Sequence, residues 1–321
     1  MASPEESASD STPQTLPTDN PLLTDISMKQ FRSFLGYYPL DSSNGCIPIM
    51  VNACTGKMGK AIIEEAESSG LFVVPVSFCS ERKSGKIHKV RGQKFFVQGP
   101  ANRERFLQYL LSVYPDLIVV DFTVSSAVNA NAELYCKHGV PFVMGTTGGD
   151  RNLLANTIQD SQVYALVSPQ MAKQAVAFIG ILDIMADRFP MLFSGYSLKA
   201  VESLDQSRAE ISETAKTAIS FFNKLGVPFN IAQIESIRDP TRQPEMVIIG
   251  QDHVDCHELH AYNLASPGET ARFEFRICIR GRSIYVDGTV EAVFFLARKV
   301  GGRDDKRVYD MHDVLKEGYV Q

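Results

Sequence analysis

The sequence lacks a long apolar run, a CxxC cysteine pair and an excess of basic residues. With 32 Lys and Arg against 37 Asp and Glu, the formal charge is −5, which argues against a nucleic acid or an anionic membrane as the partner. No apolar run approaches the ~20 residues of a membrane-spanning helix. The six cysteines are scattered, several of them inside apolar runs, which is typical of small core residues in a reducing compartment.

The first 44 residues lack the apolar core of a secretory signal and are rich in Ser, Thr, Pro and acidic residues. This composition predicts a disordered tail over residues 1–44. Organelle transit peptides are poor in acid, whereas this segment carries Glu5, Glu6, Asp10 and Asp19. We therefore expect a targeting sequence to be absent, already removed or atypical.

From Ile47 onward, strand and helix patterns alternate. Apolar or β-branched runs stand at 47–51, 71–78, 117–122, 141–145 and 163–168, and segments with helical spacing lie between them. This order predicts an α/β fold with a Rossmann-like, doubly wound parallel sheet. We assign a dinucleotide-binding domain to residues 45–170, joined by residues 283–321, because the apolar helix pattern at 289–300 could pack back on it.

The second half of the chain has a different pattern. After a long apolar helix, strand-like runs at 231–237, 245–250, 257–264 and 270–280 follow one another with short polar connections. Such an order predicts an open mixed sheet with one layer of helices. We assign this second, α+β domain, for substrate and oligomerisation, to residues 171–282.

The segment "VNACTGKMGKA" (51–61) is a strand end, a turn of small residues and the start of a helix. A dinucleotide pyrophosphate binds at such a place, because free amides and the positive helix end attract phosphate. The usual GxGxxG is incomplete: Ala53 and Thr55 replace its first two glycines, and Gly56 and Gly59 remain. A plain tight turn is an equally good interpretation of this segment alone.

The tip of the second strand carries no acid that could bind a ribose 2′-hydroxyl. It carries Ser77, Ser80, Arg82 and Lys83, which suit a 2′-phosphate and therefore favour NADPH over NADH. A solvated basic loop is the alternative. The strand ends at 121–123 and 145–150 offer small hydroxyl residues and glycines, which allow a nicotinamide ring to approach the backbone, although each could also be a capped helix start.

A cluster of His253, Cys256, His257 and His260 could suggest zinc. Its spacing matches no standard ligand pattern, and alternation along a strand would separate the side chains onto two faces. We therefore predict no metal site, and expect polar strand residues near a subunit interface.

The motifs "GKMG", "VVDFT", "GVPFVMGTTGGDR", "SPQMAKQ", "IRDP", "GRSIY" and "YDMHDVL" occur in the order typical of dihydrodipicolinate reductase of the plant type. The resemblance covers about residues 47–320. It implies an NAD(P)H-dependent reductase of lysine biosynthesis, usually a homo-oligomer and in plants located in the chloroplast stroma. It also implies a set of cofactor-binding residues: Ala53, Cys54, Thr55, Gly56, Lys57, Met58 and Gly59, then Gly145, Thr146 and Thr147, then Ser168, Pro169, Gln170 and Met171.

The catalytic stretch departs from the family pattern E-S-H-Q-x-S-K-x-D-x-S-G-T-A. Leu204 stands at the histidine position and Arg208 at that of the proton-donating lysine. Leucine has no polar atom, and arginine holds its proton too firmly to be a general acid. Ser212 and Thr214 still outline a site for the family's dicarboxylate substrate, but Glu213 replaces a glycine there. We expect its charge at the helix start to repel the substrate, although it also stabilises the helix.

These departures predict a degenerate catalytic loop. We interpret the chain as an NAD(P)H-binding protein that no longer performs the lysine-pathway reaction. It would resemble the divergent chlororespiratory-reduction branch of the family, which supports accumulation of the chloroplast NAD(P)H dehydrogenase-like complex. Two alternatives stay open: an active reductase in which Arg208 orients a carboxylate, and a reductase of a different, uncharged or cationic substrate.

Overall fold

The computed structural model describes residues 21–35, 45–204, 210–239 and 257–317. The first part of the chain forms α1 (Pro21–Leu35), β1 (Pro48–Val51), α2 (Lys57–Ser68), β2 (Phe72–Val73), β3 (Val76–Phe78), β4 (Lys86–Val90), β5 (Gln93–Gln98), α3 (Arg103–Val113), β6 (Ile118–Asp121), α4 (Val128–Lys137), β7 (Phe142–Met144), α5 (Arg151–Ser161) and β8 (Ala165–Val167). The second part forms α6 (Lys173–Arg188), β9 (Ser197–Ser203), α7 (Glu213–Lys224), β10 (Glu235–Ile237), β11 (Glu258–Ala265), β12 (Arg272–Ile279), α8 (Ser283–Gly302), β13 (Val308–Tyr309) and α9 (Met311–Lys316).

A six-stranded parallel sheet organises the first part, in the order β13-β8-β7-β6-β1-β2. Its strands are buried on both faces, as parallel strands covered by helices must be. The buried side chains of β1 and β6, such as Ile49 and Val120, contact those of α2 and α8, such as Ile63 and Leu296. This confirms the α/β, Rossmann-like fold predicted from the alternating pattern.

The chain returns to this sheet at its carboxyl end. Helix α8 packs on α2, and β13 then pairs with β8 as the edge strand of the sheet. The helix pattern at 289–300 predicted this packing, but β13 is too short to be predicted from periodicity. Our division into domains at residues 170 and 283 remains a prediction, which this return of the chain supports.

The predicted strand at 71–78 is wrong as a single strand. Pro75 has no amide hydrogen to donate to a strand ladder, and the run is divided into β2, in the six-stranded sheet, and β3, in a separate three-stranded sheet. The order of this second sheet is β3-β5-β4. Strands β4 and β5, which we did not predict, are joined by Arg91 and Gly92, both with positive φ (52° and 88°), as in a tight two-residue hairpin turn.

The four-stranded sheet of the second part has the order β10-β9-β11-β12. Strand β10 runs parallel to β9, while β11 is antiparallel to both β9 and β12. Helices α6 and α7 cover one of its faces, where the ring of Phe222 lies tilted against that of Tyr262, with 5.2 Å between the centroids. This confirms the predicted mixed sheet with one helix layer. The predicted strand at 245–250 lies outside the described residues.

The predicted disordered tail over residues 1–44 is wrong for Pro21–Leu35, which form helix α1. Met28, Phe31, Phe34 and Leu35 of this helix are buried. The ring of Phe31 lies 4.5 Å from that of Phe106 and 5.2 Å from that of Phe96, between centroids. The helical spacing of these apolar residues was present in the sequence, but the polar composition around it dominated our prediction. Across the described ranges, no helix is both long and apolar enough to span a membrane.

Substituting Phe31→Ala tests whether α1 is part of the folded core. Because this side chain is 0% exposed, its loss should lower the free energy of unfolding by about 3–5 kcal/mol. The exposed neighbour Gln30→Ala is the matched control, with an expected change within about 0.5 kcal/mol. Urea denaturation followed by circular dichroism measures both. Equal stabilities of the two variants would show that α1 does not pack on the core.

Candidate active site

The loop between β1 and α2 has the conformation of a dinucleotide-binding turn. Ala53 has a φ of 56°, in the left-handed region that glycine adopts most readily and that costs alanine about 1 kcal/mol. The Gly56 amide closes the turn by donating to the Ala53 carbonyl at 2.8 Å. Alanine therefore keeps the conformation that the usual first glycine provides.

The start of α2 leaves room and donors for a phosphate. No side chain caps this helix, so its first amides point into the turn, where the helix dipole favours an anion. A Cβ atom at Gly59 would lie 2.3 Å from the Ala53 carbonyl oxygen. Only glycine therefore permits this close contact between loop and helix, which is the role of the last glycine in a dinucleotide fingerprint. The loop fits a nicotinamide dinucleotide.

Hydrogen bonds to the end of β3 hold this loop in place. The Ala53 amide donates to the Phe78 carbonyl at 2.9 Å, and the Phe78 amide donates to Asn52 Oδ1 at 2.8 Å. The Ser77 hydroxyl is buried and accepts the Cys54 amide at 3.1 Å. Ser77 therefore supports the loop, whereas sequence reasoning placed it among the groups for a ribose phosphate.

A cation lies directly over the turn. Lys83 Nζ donates to the Thr55 hydroxyl at 2.5 Å, while Ser80 and Arg82 are exposed beside it. Positive charge and hydroxyl donors at the tip of the second strand suit a phosphate on the adenosine ribose. These are the residues that the sequence pattern selected.

The end of β6, where we predict the nicotinamide ring to lie, carries a buried carboxylate, Asp121. Asp121 accepts from the Thr123 amide (2.9 Å), the Asn131 side chain (2.8 Å) and the Tyr135 hydroxyl (2.6 Å). Burial and the negative charge of Asp121 hold the pKa of Tyr135 well above its usual value, so the phenol stays a donor. Asp121 is therefore occupied in shaping the strand end.

The predicted residues of the "GTTGG" segment lie against this strand end. A Cβ atom at Gly145 would lie 2.3 Å from the Phe122 ring, so glycine is needed for the ring to pack there. Thr146 is buried and donates to the Asp121 carbonyl at 3.2 Å. Thr147 is half-buried and remains the more accessible hydroxyl of the pair.

Residues 168–171 connect the six-stranded sheet to the four-stranded sheet, and we call this segment the hinge. The Ser168 hydroxyl donates to the Gln170 carbonyl at 2.8 Å, and Gln170 Nε2 donates to Glu258 Oε1 in β11 at 3.0 Å. Met171 is buried against Gly288 of α8, where a Cβ atom would lie 1.8 Å from the Met171 carbonyl oxygen. Pro169 is exposed. The hinge therefore links the predicted cofactor side to the four-stranded sheet.

The end of the four-stranded sheet where we predict the substrate to bind, here called the substrate end, depends on Glu202, which is fully buried. Its carboxylate pairs with Arg238 Nη2 at 2.6 Å and accepts from the amide and hydroxyl of Ser212 at 3.0 and 2.5 Å. The same hydroxyl accepts the Ala215 amide at 3.1 Å and caps α7. Glu202 was quoted in the family pattern and Arg238 in the "IRDP" motif, but sequence reasoning gave neither a role.

The start of α7 differs from our expectation in one respect. Glu213 does not turn into the helix start: its side chain is 49% exposed and its carboxylate pairs with Lys216 Nζ at 2.7 Å. The carboxylate therefore has a cation beside it, and the expectation that it repels a substrate stays a prediction. Thr214 is buried, and the amides of Glu213 and Thr214 head the helix.

Of the two predicted catalytic positions, the structure describes only Leu204. Leu204 is 3% exposed, and its amide donates to the Ile237 carbonyl at 3.2 Å, so it serves as a core residue at the end of β9. Arg208 lies outside the described residues. The structure therefore brings Leu204, Ser212 and Thr214 to one end of the four-stranded sheet.

Sequence reasoning did not predict the position of a second buried polar residue, His260. His260 is fully buried, with Nε2 2.8 Å from Glu258 Oε1 and Nδ1 3.8 Å from Glu202 Oε2. Glu258 also accepts from the Tyr285 hydroxyl. The sequence grouped His260 with a possible zinc cluster, of which His253 and Cys256 lie outside the described residues. Within the described ranges, no three such side chains are gathered as metal ligands.

Comparison with known proteins agrees with this geometry. The family model described as "Dihydrodipicolinate reductase, N-terminus" matches residues 47–171. The chain is 53% identical over 272 residues to 4-hydroxy-tetrahydrodipicolinate reductase 1, chloroplastic, of Arabidopsis thaliana, covering 85% of this chain and 78% of that protein. The probable 4-hydroxy-tetrahydrodipicolinate reductase 1, chloroplastic, of Oryza sativa subsp. japonica is 51% identical, with 84% and 79% covered.

A solved structure shares the fold. Dipicolinate-bound dihydrodipicolinate reductase from Paenisporosarcina sp. TG-14 superposes with a TM-score of 0.55 at 16% identity, covering 84% of this chain and 100% of that one. The order of motifs, the dinucleotide-binding turn and these relatives lead to one conclusion. The chain belongs to the dihydrodipicolinate reductase family, in its plant type.

Proposed function

We propose that this protein is an active reductase of the 4-hydroxy-tetrahydrodipicolinate type, which prefers NADPH. This reverses the order of preference that the sequence alone suggested. The observation that carries the proposal is the pairing of Glu213 with Lys216 at 2.7 Å, because it leaves the start of α7 able to receive an anion. A reduced nicotinamide dinucleotide, when bound to the β1–α2 turn, supplies the hydride.

The chain's own residues would hold the substrate. A carboxylate at the start of α7 would accept from the amides of Glu213 and Thr214, at the positive end of the helix. Glu202 keeps this site in place because it fixes the Ser212 amide and hydroxyl. Arg208 would orient a second carboxylate, since a guanidinium binds carboxylates in a fixed geometry. With Leu204 offering no proton, water is the proton source in this proposal.

A second candidate is favoured by Leu204. Its burial without a polar atom, where the family pattern has histidine, supports a protein that binds the dinucleotide but does not turn substrate over. In that case a role in accumulation of the chloroplast NAD(P)H dehydrogenase-like complex is the proposal. In both cases we propose a location in the chloroplast, which the names of the relatives from Arabidopsis thaliana and rice support, and within it the stroma, which the family resemblance implies. The family resemblance further supports a homo-oligomer.

Titration with NADPH and NADH, followed by nucleotide fluorescence, tests the cofactor site. The variant Gly59→Ala places a Cβ atom 2.3 Å from the Ala53 carbonyl, so it should weaken binding of both dinucleotides at least about tenfold, equivalent to 1.4 kcal/mol. Gly180→Ala in α6 meets no atom within 4 Å and is the control. Wild-type protein that binds neither dinucleotide would contradict the proposal.

The same titration tests the preference for NADPH. Replacing Lys83 by Met removes the cation beside Thr55. The affinity for NADPH should fall about tenfold and the affinity for NADH less than threefold, because a charge-assisted contact contributes roughly 1.5–3 kcal/mol. The exposed Lys89→Met on β4 is the control for net charge. Equal losses for NADPH and NADH would place the adenosine ribose elsewhere.

Steady-state consumption of NADPH with 4-hydroxy-tetrahydrodipicolinate decides between the two candidates. We expect turnover by the wild type and a loss of at least about tenfold in kcat/KM for Glu202→Gln, since this change leaves Arg238 without its buried partner charge. The control Glu235→Gln alters the half-exposed pair with Lys199 at 3.8 Å and should retain activity. Circular dichroism checks that each variant is folded.

The second candidate makes the opposite prediction in the same assay. Wild-type protein would bind NADPH and show no turnover, and the triple variant Leu204→His, Arg208→Lys, Glu213→Gly would gain activity. If the wild type is active, the triple variant should change kcat/KM by less than about tenfold.

A further inference from the structure

Two cysteine side chains meet at the cofactor turn. Cys54 lies in the turn itself, and Cys79 directly follows β3. The backbone contacts of Ala53 and Asn52 with Phe78 bring these segments together. The Ser77 hydroxyl contacts both cysteines: it accepts the Cys54 amide at 3.1 Å and lies 3.8 Å from Cys79 Sγ. The segments that carry Cys54 and Cys79 therefore lie together at the Ser77 hydroxyl.

The two thiols differ in access to solvent. Cys54 is 0% exposed, so a dissolved reagent cannot reach its sulfur. Cys79 is half-buried and can be reached from outside. Neither is in a disulfide. An external reagent would therefore meet Cys79 first, with Cys54 held behind it.

The surroundings of the two cysteines also shift their pKa values in opposite directions. A hydrogen bond from Cys54 is the largest of the effects that lower the pKa of Cys79 to about 6; the Ser77 hydroxyl, the charge of Lys83 and the Thr55 hydroxyl add to it, against the effect of burial. The hydrogen bond to Cys79 and burial raise the pKa of Cys54 far above its usual value. Of the neighbouring charged groups, Arg82 is exposed and Glu81 directs its carboxylate to the Ala101 amide at 3.4 Å. Since the thiolate is the nucleophile, Cys79 is the attacking residue.

We propose that Cys79 and Cys54 form a thiol–disulfide exchange site at the mouth of the cofactor turn, and that its reagent is a small disulfide such as oxidised glutathione. The Cys79 thiolate attacks one sulfur of that disulfide, whose S–S bond breaks, and one glutathione leaves as a thiolate. Cys54 then attacks the Cys79 sulfur while its proton passes to the second glutathione sulfur, which leaves as a thiol. The protein loses two electrons, which reduce one glutathione disulfide to two thiols.

The site would regulate dinucleotide binding, and this part rests on the proposed function. A Cys54–Cys79 disulfide requires the two sulfurs to move to ~2 Å from each other, which would shift the turn that carries the phosphate-binding amides. A glutathione on Cys79 would stand beside Thr55 and Lys83. Both forms should bind NADPH more weakly, and bound NADPH should shield Cys79.

Peptide mass mapping of the full chain after treatment with oxidised glutathione tests the site. In the wild type we expect a Cys54–Cys79 linked peptide, reversed by dithiothreitol. Cys54→Ser should stop at a glutathione adduct on Cys79, and Cys79→Ser should show neither product. Cys136, whose pKa burial raises, is the internal control and should react at least about tenfold more slowly. A wild type that leaves Cys79 reduced, or keeps the adduct without linking Cys54, would overturn the proposal.

The pH dependence of alkylation needs no variant. The rate of iodoacetamide labelling at Cys79 should rise with pH to half its maximum near pH 6, where the thiolate forms, and Cys136 should titrate above the ordinary thiol value of ~8.5. The same midpoint at both cysteines would show that the environment of Cys79 is not the one proposed.

A protection measurement separates this inference from the proposed function. Saturating NADPH should slow labelling of Cys79 at least about fivefold. A linked peptide that forms equally fast with and without NADPH would keep the exchange site and contradict its link to the cofactor. If the protein binds NADPH but forms no linked peptide, the exchange site is contradicted and the proposed cofactor site is kept.

Discussion

One buried carboxylate, that of Glu202, holds together the end of the four-stranded sheet where we propose that the substrate binds. An ionised side chain without solvent access must be paired, because an unpaired buried charge costs several kcal/mol. Its partners come from two separate segments: Arg238 after β10, and Ser212 before α7, which donates both its amide and its hydroxyl. That hydroxyl in turn caps α7. The start of α7, the end of β9 and the end of β10 are therefore held together by one group.

The same carboxylate is joined to the hinge through buried polar residues. His260 lies between Glu202 and Glu258, and Glu258 accepts from Gln170. Gln170 also accepts the Ala172 amide at 3.0 Å, at the start of α6. The six-stranded and the four-stranded sheets have no strand in common, and these side chains connect them.

Much of this architecture could be predicted because burial leaves a period in the sequence. The parallel sheet follows from short apolar runs, and the mixed sheet from strands in succession. The missed features depend on contacts that no local pattern carries. Helix α1 is stabilised by Phe96 and Phe106, far away in sequence. Pro75 divides a run whose composition reads as one strand, and β13 consists of two residues that pair with β8.

The candidate site shows the same division. The turn at residues 53–59 was predictable because its small residues meet a steric demand at Gly59. The role of Glu213 was not, because the direction of its side chain depends on Lys216, which sequence reasoning did not consider. Glu202 and Arg238 belong to quoted motifs, yet their pairing needs the fold that places β9 beside β10.

Transfer of a labelled hydride tests the central claim, that this chain is an active reductase. The protein would be incubated with 4-hydroxy-tetrahydrodipicolinate and with NADPH that carries deuterium on one or the other face of nicotinamide C4. The account predicts that one of the two labelled cofactors gives a product one mass unit heavier. The claim would be contradicted if protein that binds NADPH formed product without the label and no faster than a protein-free control.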